Sequence, residues 1–179
     1  MNPRGNLMKV SIILASSRSD GNTNALVKAI LDSRTARIYD LNKYSISHFD
    51  YDHKNQNDSF ITIAKQISNS KTIVFATPVY WYAMTAQLKT FFDRMTDLVT
   101  IQKKIGRSLA GKNTFLLSCG TDKALPKGFE IPFDLTSRYF KMKYRGAFYW
   151  HVKNKNELKD LEVKDKIKAK RFGDKIFSA

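Results

Sequence analysis

A chain of 179 residues, 42% hydrophobic and 26% charged with only eight Gly and four Pro, has the size and composition of one folded domain spanning 1–179 and is neither fibrous nor disordered. Thirty-one Lys and Arg against sixteen Asp and Glu leave a formal charge of +15, which attracts phosphates, nucleotides or nucleic acid without choosing among them. The single cysteine, Cys119, excludes an internal disulfide and any cysteine cluster for zinc or for iron and sulfur, so redox chemistry would need a bound organic cofactor.

The amino end holds one short apolar run, stopped by Ser16 and Ser17. It is too short to span a membrane and lacks a cleavage site after it, so a cytoplasmic protein is expected. Within it, MKVSIILA from Met8 to Ala15 is apolar and β-branched on both alternating faces, as a strand covered by helices on both sides would be. The polar loop 16–22 leads into a helix over Thr23–Ser33, with Ala25, Leu26, Ala29 and Ile30 as its buried stripe. A short second strand is predicted over Ala36–Leu41 and a second helix over Ser59–Ser68, with Ile61, Ile63, Ala64 and Ile67 inward. KTIVFA, Lys71–Ala76, reads as the third strand. Thr85–Val99 follows as a helix facing the core with Leu88, Phe91, Phe92, Met95 and Leu98. The remaining elements are a strand over Asn113–Cys119, a helix over Phe129–Met142, a strand over Tyr144–Trp150 and a closing helix over Glu157–Phe177 broken near Gly173. The basic run Lys164–Arg171 reads as the solvated face of that last helix.

Strands alternating with helices of this length call for parallel βαβ crossovers, and five of them make a doubly wound α/β sheet. Ligands of such sheets sit beyond the carboxyl ends of the strands, which directs attention to the loops after the first, third and fourth. The first, Ser16 to Thr23, opens a helix and is rich in hydroxyl and amide donors, with Arg18 adding a charged fork. Free helix-start amides there would hold an anion; the competing reading is a plain capping loop in which Asn22 or Thr23 caps the helix. The segment is neither a Walker loop nor a G-x-G-x-x-G dinucleotide fingerprint. The second loop carries Tyr80, Trp81 and Tyr82 in succession, which are costly to expose unless something flat packs on them, a planar ligand or a partner subunit.

The segments ASSRSDGNT (15–23) and TPVYWYAMTAQLKTFFDR (77–94) together resemble the NADPH-dependent FMN reductase and quinone reductase group of the flavodoxin-like superfamily. That group shows a Gly-Ser-x-Arg-x-x-Gly-Asn-Thr loop and a Ser/Thr-Pro-x-Tyr-Trp-x-x-Met-x-x-Gln-Leu-Lys-x-Phe-x-Asp-Arg segment. Here Ala15 stands where Gly is common, Ser17 where Pro is common, and Tyr82 where a smaller residue is usual. The resemblance implies a sheet of order 2-1-3-4-5, FMN as cofactor, and NADPH or NADH as hydride donor to a quinone, flavin, nitro or azo acceptor. It implies Ser16, Arg18, Asn22 and Thr23 on the phosphate, Pro78, Val79, Tyr80 and Trp81 along the isoalloxazine, and Ser118, Cys119 and Gly120 as the third flavin loop. No catalytic side chain and no metal ligand are expected, the flavin carrying the chemistry. The resemblance also implies a homodimer with Tyr80–Met84 toward the partner, and Asp93 and Arg94 as residues that hold the third helix or join a subunit contact. His48, His53 and His151 read as loop or surface residues. A flavodoxin-type electron carrier is the alternative, against which the basic charge speaks, and a nucleic-acid role rests on charge alone and is not expected.

Overall fold

The computed structural model of the chain describes residues 9–153 and 161–179. Five strands, β1 (Val10–Leu14), β2 (Arg37–Asp40), β3 (Thr72–Pro78), β4 (Asn113–Gly120) and β5 (Lys143–His151), pair in parallel throughout in the order β2-β1-β3-β4-β5. This is the flavodoxin-like doubly wound sheet that the alternation of elements and the resemblance together implied. The strand residues alternate between two cores. Ile12, Leu14, Val74, Phe115 and Leu117 pack under α1 (Asn22–Leu31) and α7 (Val163–Ser178). Ile13, Ile73, Phe75 and Leu116 pack under α2 (Ser59–Ile67), α3 (Ala86–Arg94) and α6 (Ile131–Tyr139). Covered on both sides, β1 and β3 are buried at every residue, which is why their sequences read as continuous apolar runs.

Several boundaries differ from expectation. β3 runs two residues past Ala76: the Val79 N–H bonds back to Cys119 O at 2.8 Å, so the Pro78 nitrogen faces the other way, beyond the end of β1, and its missing proton costs no ladder bond. The predicted long third helix is two pieces, α3 and the short α4 (Asp97–Thr100), because bonds tighten to three-residue spacing at Met95 and Thr96. A further short helix, α5 (Lys103–Arg107), has too few residues to show a period. α6 is shorter at both ends than predicted, and α7 passes through Gly173 without a break. A Cβ at Gly173 would collide with the Ile30 carbonyl oxygen, so that glycine serves the close approach of α7 to α1 rather than a kink. Met8 and the predicted helix start at 157 lie outside the described residues.

Candidate functional site

At the carboxyl edge of the sheet the parallel register brings together the ends of β1, β3 and β4, and with them the three loops to which the sequence directed attention. The three loops are bonded to one another. Ser17 Oγ and Tyr80 Oη are 2.6 Å apart and join the first loop to the second. Thr23 Oγ1 lies 3.4 Å from Cys119 Sγ and joins the first to the third, while the Val79 N–H bond to Cys119 O joins the second to the third.

In the first loop no side chain caps the helix start. The N-cap of α1 is Gly21, which has no side chain to offer, and neither Asn22 nor Thr23 caps the helix. The Thr23 hydroxyl is turned to Cys119, and Asn22 Oδ1 is buried without a hydrogen-bond partner in the protein. The uncapped helix amides stand beside the exposed Arg18, whose Nε would lie 3.7 Å from a Cβ on Gly21, an arrangement that suits an anion. Ser16 is buried beneath it. The loop is braced by residues that sequence reasoning did not single out. Asn42 Nδ2 donates to Ser16 O at 2.7 Å, and Gln87 Nε2 donates to Asn42 Oδ1 at 2.8 Å. Thr85 caps α3 through its hydroxyl and reaches the Ala15 carbonyl at 3.3 Å. Gln87 and Thr85 lie within or beside the recognisable 77–94 segment, which was the available signal. Asn42, just after a short strand, carried none.

The second loop is a two-residue turn. Tyr80 and Ala83 exchange backbone bonds of 3.0 Å, with Trp81 at φ 49° and Tyr82 at φ 63° between them. Both central residues occupy the left-handed region that a type I′ turn demands and that Asn and Gly normally supply. Bulky aromatics there cost roughly 1–2 kcal/mol each. The strain holds Trp81 out into solvent at 93% exposure, and Tyr82 at 71%. Tyr82 turns toward a cavity of about 390 Å³ shared with Met84, Phe92, Phe129 and Pro132, between α3 and α6.

In the third loop the side chains of Ser118 and Cys119 are buried, and Ser118 Oγ has no partner among the described residues. Burial pushes the Cys119 thiol up to about 11, against a smaller downward effect of the Thr23 hydroxyl, so it is a neutral thiol at physiological pH. Gly120 is required by its neighbours: a Cβ there would fall 2.8 Å from Tyr149 Oη and 3.3 Å from Val79 Cβ. Tyr149 donates to Asp122 O at 2.9 Å and thereby anchors the segment after β4.

Arg94 lies away from this edge and is almost wholly buried, bonded to Asp97, Asp58 and the carbonyls of Ser47 and Asn55, so it pins the long β2–α2 connection to α3, while Asp93 makes an exposed pair with Lys89. His53 is not a plain surface residue: its Nδ1 sits 2.8 Å from Asp97 Oδ1. His48 is exposed beside Thr90, and His151 is the last residue of β5. Among the described residues no group of His, Cys, Asp and Glu could hold a metal ion, and no helix is long and apolar enough to cross a membrane.

Comparison with known proteins adds an independent line. The model of a family described as NADPH-dependent FMN reductase matches residues 8–156. YwqN of Bacillus subtilis (strain 168), provisionally named an NAD(P)H-dependent FMN-containing oxidoreductase, is 26% identical over 149 residues, 78% of this chain and 82% of that protein. Among solved structures, the Trp repressor binding protein from Bacillus subtilis superposes with a TM-score of 0.73 at 21% identity, covering 91% of this chain and 96% of the other. An FMN-dependent NADH-azoreductase from Bacillus anthracis, solved with FMN, gives a TM-score of 0.68 at 9% identity, covering 93% and 98%.

Proposed function

The chain belongs to the NADPH-dependent FMN reductase family, and from that premise we propose that it is an FMN-dependent oxidoreductase passing hydride equivalents from NADPH or NADH to a small acceptor such as a quinone, free flavin, nitro or azo compound. One observation carries the reading: the uncapped start of α1, with Asn22 Oδ1 buried and unpartnered beside Arg18, bonded through Ser17 and Tyr80 to an exposed aromatic turn. That pairing of a phosphate cradle with a flat apolar wall suits a phosphorylated ring system. FMN, when bound, supplies the two-electron chemistry, and the chain's residues supply position and electrostatics.

In this reading Arg18 and the amides at the start of α1 take the phosphate, with Ser16 and Asn22 completing the cradle and Thr23 supplying its amide while its hydroxyl stays on Cys119. Pro78, Val79, Tyr80 and Trp81 border the isoalloxazine, Tyr80 fixed by its bond to Ser17. Gly120 and the backbone of Ser118 and Cys119 close the third side, and the Cys119 thiol stays protonated and takes no part as a nucleophile. Trp81 offers the stacking surface at the open face, where nicotinamide and acceptor would take turns, and a second copy of the chain would meet the molecule at Tyr80–Met84. No acid or base is required of the protein.

The test is direct. Protein reconstituted with FMN and desalted retains one flavin per chain with its fluorescence quenched, and it oxidises NAD(P)H when a quinone is supplied. Failure to retain FMN at micromolar concentration overturns the reading. Retention without NAD(P)H oxidation replaces it with the electron-carrier alternative, which the basic surface disfavours.

A further inference from the structure

The opposite edge of the sheet carries a second concave site. A groove of about 340 Å³, at the small end of ligand pockets, runs between α4, α5 and the carboxyl end of α6. Leu98 and Phe140 contribute to its apolar floor and Tyr139, 70% exposed, forms one wall. Three cations line it, Lys103 and Arg107 from α5 and Lys141 from the turn after α6, and no carboxylate does. All three side chains are exposed and none makes an ion pair. The acidic groups on the adjoining elements are engaged elsewhere: Asp97 is buried against Arg94 and His53, and Asp134 is paired with Arg138.

Two features mark the groove as built rather than incidental. Lys141 has a left-handed backbone, φ 56°, an uncommon conformation for a long side chain. It is held there by its N–H bond to Arg138 O at 2.9 Å, by Met142 N–H to Ser137 O at 2.8 Å, and by Gly111 N–H to its own carbonyl at 2.9 Å. Further lysines stand at the same edge of the sheet. Lys71, Lys112 and Lys143 enter β3, β4 and β5 side by side, tied by Asn113 N–H to Lys71 O at 3.1 Å and Lys143 N–H to Lys112 O at 2.8 Å. Low-dielectric walls under converging positive charge concentrate anions. A polyanion backbone would make no use of an apolar floor and a tyrosine wall, and three cations exceed what a single carboxylate needs.

We propose that this groove binds a small aromatic monophosphate, its phosphate on Lys103, Arg107 and Lys141 and its ring against Tyr139 and Phe140. The site is separate from the cofactor edge and does not depend on the flavin assignment.

The probe is 2-naphthyl phosphate, titrated calorimetrically into FMN-saturated protein, in which the cofactor edge is already filled. One molecule per chain is expected with a submillimolar constant, while 2-naphthol and inorganic phosphate each bind about tenfold or more weakly, having lost one half of the recognition. Arg107→Ala, at an exposed position that leaves the fold intact, weakens the probe about tenfold or more. Lys141→Gly does likewise while raising the melting temperature, because it relieves the backbone as it removes the charge. Absence of binding, displacement of the probe by FMN, or an affinity unchanged in Arg107→Ala each overturns the proposal.

Discussion

Replacing Arg94 by Ala removes a guanidinium that is 1% exposed and that donates from Nε to Asp97 at 2.8 Å, from Nη1 to Asp58 and to Ser47 O at 3.1 Å, and from Nη2 to Asn55 O at 2.7 Å. It also lies over the Phe60 ring at 4.9 Å. Nothing else in the site replaces those donors, so Asp58 and Asp97, with side chains 8% and 3% exposed, lose their guanidinium and keep only the Ser47 and Phe60 N–H groups and His53, and two carbonyls lose a donor. Breaking a buried ionic network from one side costs about 3–5 kcal/mol, a large part of the roughly 5–15 kcal/mol that holds a domain together. The exposed Lys89–Asp93 pair, by contrast, is worth well under about 1 kcal/mol, so Asp93→Asn is the control that should do little. Urea denaturation at neutral pH should place the Arg94→Ala midpoint about 2 M below the parent. The acid limb carries the sign. Burial alone would raise the Asp58 carboxyl, but hydrogen bonds from Arg94 and from the Ser47 and Phe60 N–H groups, together with the Arg94 charge, hold it below its ordinary value of 3.8. A group depressed in the folded state contributes stability above its unfolded value and loses it as pH falls through the folded one. The gap between parent and variant should therefore narrow below about pH 3.8. A cost under about 1 kcal/mol, or a gap indifferent to acid, would refute the role given to Arg94.

Two further outcomes follow from the site. Arg18→Ala should weaken FMN about tenfold to a hundredfold, the worth of one charge-assisted bond, while riboflavin, which lacks the phosphate, binds nearly as before; equal losses would place Arg18 in loop structure instead. Exchanging Trp81-Tyr82 for Asn-Gly, the residues a type I′ turn prefers, should raise stability by roughly 1–3 kcal/mol in thermal unfolding while lowering NAD(P)H oxidation, and an unchanged melting temperature would show that the turn is not strained.

The fold was legible because the period of the sequence changes from strand to helix five times, and because strands covered on both faces leave continuous apolar runs such as VSIIL and TIVFATP. Boundaries failed where tertiary contact overrides local pattern. Gly173 reads as a helix breaker until α1 is packed against it, and Met95 and Thr96 continue an apolar period that the ladder itself does not follow. The candidate site residues were legible as types, since Arg18 and the aromatic run suggest an anion and a plane. Their division of labour was not. Whether Thr23 turns to the helix or to Cys119 depends on a partner 96 residues away in sequence. Asn42 was invisible for the same reason, since its bonds to Ser16 and Gln87 exist only once β2 lies beside β1.

That long reach has a consequence for the protein in the cell. Ser17 and Tyr80 are 63 residues apart and Thr23 and Cys119 are 96 apart, so the proposed cofactor cradle comes into being only when three crossovers have closed. An early, partly folded chain would then have no such cradle to offer. A ligand that recognises only the finished state adds about 2.7 kcal/mol to its stability at a hundred times its dissociation constant, by mass action alone. With flavin held there, supply and lifetime would be coupled: when the pool ran low, the same chain would open more often and meet proteases more often.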